Sequence, residues 1–229
     1  MSSENFAVDW QQVARAIDHT LLKPEATRAA IEKLCREAIQ YGFWSVCVQP
    51  CNVKPARAVL AGSGVKVASV MSFPHGANQT SAKRDEAAGL VAAGADELDM
   101  VINIGALKSG DADYVRQDIA AVTAVAHPAG ALLKVIIETA LLTDAEKKLA
   151  CELAVAAGAD FIKTSTGFNG GGATVADVRL MCVAVAGRAR VKASGGIRTA
   201  ADAVAMLAAG AARLGTSGSI EIVRQLSTR

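Results

Sequence analysis

Three stretches of this sequence use nearly the same words: AAGADELDMV (Ala92–Val101), AAGADFIKTS (Ala156–Ser165) and AAGAARLGTS (Ala208–Ser217). Each reads as a helix tail, a glycine stop and an apolar run of strand length. A unit of this kind cannot bury its strand alone and has to lie beside others like it. The same grammar runs along the chain. Ile31, Leu34, Cys35, Ala38 and Ile39 follow helical spacing within Thr27–Tyr41, Gly42 ends that helix, and the β-branched run Trp44–Gln49 follows. Helix starts recur too: Thr143-x-x-Glu146 has the form of a capping box, and Thr174-x-x-Asp177 and Thr199-x-x-Asp202 are looser versions.

Eight strand candidates emerge: Ile17–Leu21, Trp44–Gln49, Val65–Val70, Glu97–Ile102, Leu132–Glu138, Asp160–Thr164, Arg190–Ala193 and Ala212–Thr216. Helical patterns separate most of them, and one follows the last. Eight β-α units with strands apolar on both sides predict an α/β fold, a single closed (β/α)8 or TIM barrel. An open doubly wound sheet is the alternative, and it usually carries GxGxxG after its first strand. Here the first strand runs into His19-Thr-Leu-Leu-Lys-Pro24. No linker or low-complexity tract interrupts the chain, so residues 1–229 are expected to form one domain.

Charge and cysteine usage narrow the class. Lys+Arg is 24 against Asp+Glu 22, a formal net of +2 with no basic run, which argues against a nucleic-acid-binding arm. The five cysteines (Cys35, Cys47, Cys51, Cys151 and Cys182) are odd in number and lack CxxC spacing. Reduced thiols are expected rather than a disulfide framework or zinc cluster. The opening MSSENFAVDW lacks a basic segment followed by an apolar one, and no membrane-length apolar run occurs. A soluble, cytoplasmic protein is the expectation.

A TIM barrel presents its chemistry at the C-terminal ends of its strands. The polar residues there are Asp18, Asp99, Asn103, Lys134, Glu138, Lys163, Thr164, Lys192 and Ser194. Lys163 and Lys192 fall on adjacent strands. Burial and mutual repulsion both lower a lysine pKa, and a neutral amine can attack a carbonyl to form a Schiff base. The alternative is that each lysine pairs with a carboxylate such as Asp99 or Glu138 and only supports the barrel. Glycines gather after the last three strands, as Gly170-Gly-Gly172, Ser194-Gly-Gly-Ile197 and Gly215-Thr-Ser-Gly218. Loops of this kind beside a short final helix suit a phosphate; ordinary turns are the alternative. His19, His75 and His127 lack metal-ligand spacing, and mid-strand Cys47 reads as an inert core thiol.

Several motifs resemble one family. IDHTLLKPEAT (Ile17–Thr27), SVCVQP (Ser45–Pro50), VMSFPHGANQTSAKRDEA (Val70–Ala87), ELDMVINIGALKSGD (Glu97–Asp111), LLKVIIET (Leu132–Thr139), FIKTSTGF (Phe161–Phe168) and VKASGGIR (Val191–Arg198) are similar, in order, to deoxyribose-phosphate aldolases. The last two together are highly specific. The resemblance implies a barrel without metal or organic cofactor. It implies reversible cleavage of 2-deoxy-D-ribose 5-phosphate to D-glyceraldehyde 3-phosphate and acetaldehyde, in deoxyribonucleoside catabolism. Lys163 takes the Schiff-base position, Lys192 that of the second lysine and Asp99 that of the acid/base aspartate. Asp18, Cys47, Lys134 and Thr164 fall on pocket positions, and Gly171, Gly195, Gly196, Gly215 and Ser217 on the phosphate loops. Some family members end in a tail whose tyrosine aids proton transfer. This chain ends Leu226-Ser-Thr-Arg229 and its tyrosines are Tyr41 and Tyr114, so that role is not carried over.

Rival readings are another phosphate-binding barrel lyase or isomerase, and a sugar-phosphate-binding protein without turnover. The expected partners are small sugar phosphates and aldehydes, without nucleic acid or membrane. A homodimer is admitted but not fixed by the sequence.

Overall fold

The computed structural model describes residues 9–228. The opening segment read above for a targeting signal lies mostly outside the described residues, as does Arg229. Eight strands close a barrel in chain order: β1 (Ile17–Leu21), β2 (Ser45–Val48), β3 (Lys66–Met71), β4 (Glu97–Val101), β5 (Leu132–Ile136), β6 (Phe161–Lys163), β7 (Arg190–Ser194) and β8 (Arg213–Thr216). Every neighbouring pair is parallel, including β8 on β1. The helices are α1 (Trp10–Ala14), α2 (Arg28–Tyr41), α3 (Val53–Val59), α4 (Thr80–Ala92), α5 (Ile104–Lys108), α6 (Ala112–Ala126), α7 (Asp144–Ala156), α8 (Val175–Val185), α9 (Ala200–Ala208) and α10 (Ser219–Ser227). The expected TIM barrel is therefore formed.

Local chemistry accounts for the boundaries. Thr27 starts α2 by accepting from the Ala30 amide at 3.2 Å, and Gly42 ends it at φ 67°, a left-handed turn that costs glycine little. Thr143 with Glu146 and Thr199 with Asp202 close full capping boxes on α7 and α9. β5 stops short of its expected end at Glu138, because Glu138 itself turns to φ 56°.

The sequence reading expects strands apolar on both faces, and the structure corrects this. Outward residues such as Val46, Val67, Leu98, Met100, Val135, Ile162 and Leu214 are fully buried against the helices. The inward face carries charge. Paired registers set Asp18 beside Ser45 and Gly215, Asp99 beside Lys134, and Lys163 beside Lys192, itself beside Arg213. Charges inside a barrel persist only when they neutralise each other.

Candidate active site

The interior is built in layers from alternate strands, as barrel geometry requires. Counted from the glycine of each AAGA repeat, Glu97, Phe161 and Arg213 hold one position on β4, β6 and β8. Asp99, Lys163 and Gly215 hold the position two residues later. A step of two along a strand keeps the same face. The first trio therefore forms a floor and the second a layer nearer the mouth. Asp18, Lys134 and Lys192, from β1, β5 and β7, lie between them.

Asp99 is the hub. Its Oδ2 accepts from Lys163 Nζ at 2.7 Å and Lys192 Nζ at 2.8 Å, and its Oδ1 accepts from Lys134 Nζ at 2.6 Å. Lys134 also meets Glu97 at 2.6 Å. Asp18 accepts from Lys192, from Arg213 Nη1 at 2.7 Å and from Ser45 Oγ at 2.7 Å. Glu138, weighed as a lysine partner, takes none. It accepts from the Thr166 hydroxyl and from Asn169 Nδ2 at 2.8 Å, and so organises the loop after β6.

These contacts separate the two candidate lysines. Burial, aided by the charge of Lys192, holds Lys163 below the usual lysine range against the pull of Asp99. Lys192 goes the other way. Burial opposes its charge, but Asp18 and Asp99 outweigh burial and raise its pKa. The expectation that proximity lowers both lysines thus holds for one of them. The difference is the number of carboxylates: two on Lys192, one shared oxygen on Lys163. Lys134 is likewise raised, with Asp99 and Glu97 overcoming its burial. Burial would raise Asp99 and Asp18, yet their cationic neighbours hold both well below the carboxylate range.

Cys47 lies beside this cluster. Burial first, then the charge of Asp99, pushes its thiol up, so it stays neutral. With Leu22, Ala68, Val70 and the partly buried Phe73 it forms an apolar wall. Phe73, after β3, meets the half-exposed Phe168, after β6, edge to face at 5.2 Å between ring centres. Neither phenylalanine, nor Leu22, is marked by any polar signal in the sequence.

The remaining candidates divide. The Thr164 hydroxyl is engaged with the Ser194 backbone, donating at 3.0 Å to its carbonyl and accepting at 3.0 Å from its amide. Asn103 caps α5. Gly171, Gly195, Gly196 and Ser217 lie in the loops after β6, β7 and β8, and these loops converge. A Cβ on Gly172 would lie 2.6 Å from the Gly195 carbonyl oxygen, and Gly218 packs against Arg198. Gly196 and Ser217 are exposed, with Ser217 just ahead of α10. Gly215 sits inside β8 rather than after it. A Cβ there would meet Lys192 Cε at 3.1 Å, so its small size makes room for that lysine. Glu97 and Arg213 escape the sequence reading, which looks to the strand ends; the shared offset in the repeats is the signal that marks them.

The sequence matches the model of the DeoC/LacD family aldolases over residues 12–220. The deoxyribose-phosphate aldolase of Thermococcus gammatolerans is 60% identical over 213 residues, covering 92% of this chain and 95% of that protein. The enzyme of the same name from Clostridium perfringens is 56% identical over 215 residues, 94% of this chain and 96% of that one. Among solved structures, the tetrameric deoxyribose phosphate aldolase of Aeropyrum pernix superposes with a TM-score of 0.90. It shares 34% identity over 96% of this chain and 92% of that one. Matched along nearly its whole length by sequence and by fold, the chain belongs to the DeoC/LacD family of aldolases.

Proposed function

We propose that this protein reversibly cleaves 2-deoxy-D-ribose 5-phosphate to D-glyceraldehyde 3-phosphate and acetaldehyde, with Lys163 forming the imine. The observation that carries the reading is the division of labour between the lysines. Lys192 is held as an ammonium by contacts with both Asp18 and Asp99, whereas Lys163 shares a single Asp99 oxygen with it and burial disfavours its charge.

In the cleavage direction, neutral Lys163 attacks C1 of the open-chain sugar. The addition product loses water and becomes a protonated imine, which draws electrons from the C2–C3 bond. The C3 hydroxyl gives its proton to a water held by Asp99 and Lys192, the bond breaks, and the triose phosphate leaves. The enamine takes a proton at C2, and water then releases acetaldehyde and restores the amine. Asp99, ionised and in contact with Lys163, offsets the positive charge of the imine where water is scarce. The apolar wall of Leu22, Cys47, Val70 and Phe73 suits the deoxygenated end of the sugar. Asp18 and Lys134 hold this arrangement from below, and Thr164 ties β6 to β7. The phosphate belongs on the backbone amides of Gly171, Gly195 and Gly196 and on Ser217, at the positive end of α10.

Residues 1–229 act as one catalytic domain in this reading. A cytoplasmic setting belongs to it, supported by the free state of the five cysteines. So does a homodimer, supported by Ile39, which is 44% exposed beside Trp10 and Tyr41. Sedimentation of Ile39→Lys beside wild type tests the pairing. Among the described residues no helix is long and apolar enough to cross a membrane.

Acetaldehyde with borohydride should leave an ethyl group on Lys163, located by peptide mass spectrometry. A label on Lys192 or Lys134 would reverse the assignment. No label at all would favour a binding protein without turnover.

A further inference from the structure

The barrel interior holds three carboxylates, Asp18, Glu97 and Asp99, and four cations, Lys134, Lys163, Lys192 and Arg213. One cation is in surplus. We propose that Arg213, paired with Glu97 on the barrel floor, is a positioning residue that makes Lys163 that surplus cation and so frees its amine. The inference rests on the reading of Lys163 as the imine-forming residue.

Arg213 never touches Lys163 among the contacts of the site. Its Nη1 lies 2.7 Å from Asp18 Oδ1 and 3.0 Å from Glu97 Oε2. Its guanidinium carbon sits 4.5 Å from the Trp44 ring centre and 5.2 Å from that of Phe161. Trp44 Nε1 donates to Glu97 at 2.8 Å, so the floor is a closed set of contacts. An arginine cannot release its proton in a protein, so this charge is permanent. Lys134 bridges Glu97 and Asp99, and Lys192 bridges Asp18 and Asp99. Those three cations already match the three carboxylates. Lys163 holds only an oxygen of Asp99 that Lys192 also uses. Loss of a proton from Lys163 is therefore the change that brings the interior to neutrality.

The groups around Lys163 come from every side of the barrel. They are Asp18 on β1, Cys47 on β2, Glu97 and Asp99 on β4, Lys134 on β5, Lys192 on β7 and Arg213 on β8, while Glu138, after β5, is engaged by Thr166 and Asn169. The inward residues Ala68 and Val70 of β3 carry no charge. Removal of Arg213 would leave three cations against three carboxylates, and Lys163 would be needed as an ammonium. Removal of the Glu97 charge would have the opposite effect.

The test is the pH dependence of reductive trapping by acetaldehyde and cyanoborohydride, with the modified lysine identified by mass spectrometry. Arg213→Met should move the acidic limb to higher pH by about one unit, the scale of a single nearby charge. Glu97→Gln should move it to lower pH. The double variant should return it close to wild type, and Arg213→Lys should hold it there. A floor that only supports the fold would lower the rate in both single variants without opposite shifts, and that result overturns the inference. If Arg213→Met does not fold, Glu97→Gln decides alone, and an unmoved or raised limb overturns it. Trapping at Lys163 with unmoved limbs defeats this inference and leaves the Lys163 reading standing. Trapping at another lysine defeats both.

Discussion

Lys163 and Lys192 show why residue type matters less than the company it keeps. Both are buried, yet one is driven toward the neutral amine and the other toward the ammonium. The positive charge of Lys192 disfavours a second positive charge on Lys163. Lys192→Met removes that repulsion, so the pKa of Lys163 should rise. The neutral fraction at a given pH then falls, and the acidic limb of the cleavage rate should move to higher pH. A rise of about one unit would cost roughly tenfold in rate at a pH below the limb. A pH–rate profile of kcat beside wild type checks the sign. Circular dichroism separates this from loss of the fold.

Among the elements, α10 and the three glycine loops form a separate device beside the lysine cluster. α10 is pinned from beneath: Ser219 at its start bonds His19 Nδ1 at 2.9 Å, and His19 Nε2 reaches Glu37 on α2 at 3.0 Å. The histidine that offers no metal-binding pattern in the sequence is thus a tie between β1, α2 and α10. Gly172 lets the loop after β6 press against the loop after β7, since a side chain there would strike the Gly195 carbonyl. Ser217→Glu would place a carboxylate at the opening of these loops, ahead of the partly positive helix start. It should weaken the phosphorylated sugar by about 2 kcal/mol, the scale of poorly screened charges a few ångströms apart. Unphosphorylated 2-deoxyribose should change little. The measurement is kcat/KM for both sugars in both proteins, and equal losses would move the phosphate elsewhere.

At the scale of the whole molecule, the barrel is a conventional apolar sandwich outside and an ionic one inside. Outward strand residues pack on the helices, while the interior holds seven ionisable side chains, of which three carboxylates and three cations stabilise the fold only as a set. Lys163 is the one the set does not need. Its pKa in the folded protein lies below the unfolded value. Its cost to stability is therefore full below the folded pKa and fades as pH rises toward the unfolded one, near 10.4. Lys163→Met should abolish cleavage yet stabilise the protein by about 1 kcal/mol, roughly 2–4 °C in Tm for a chain of this size. The gain should shrink on the alkaline side. Thermal unfolding across pH measures it, and a variant less stable than wild type near neutrality would mean that the Lys163–Asp99 contact is needed by the fold.

Much of this was legible along the chain because its causes are local. Helical spacing, threonine caps and glycine stops act within a few residues, so eight β-α units and the pairing of Lys163 with Lys192 could be read directly. The motifs that resemble the aldolase family assigned roles to Asp99 and to individual residues of the glycine loops. What the tertiary structure alone decided was which charge meets which. Arg213 and Asp18 are 195 residues apart, and only closure of β8 on β1 sets one within 2.7 Å of the other. The same closure gives Lys192 two carboxylates and leaves Lys163 sharing one. Residue spacing carries the period of a strand, but the energy of a buried charge depends on neighbours brought in from every other strand.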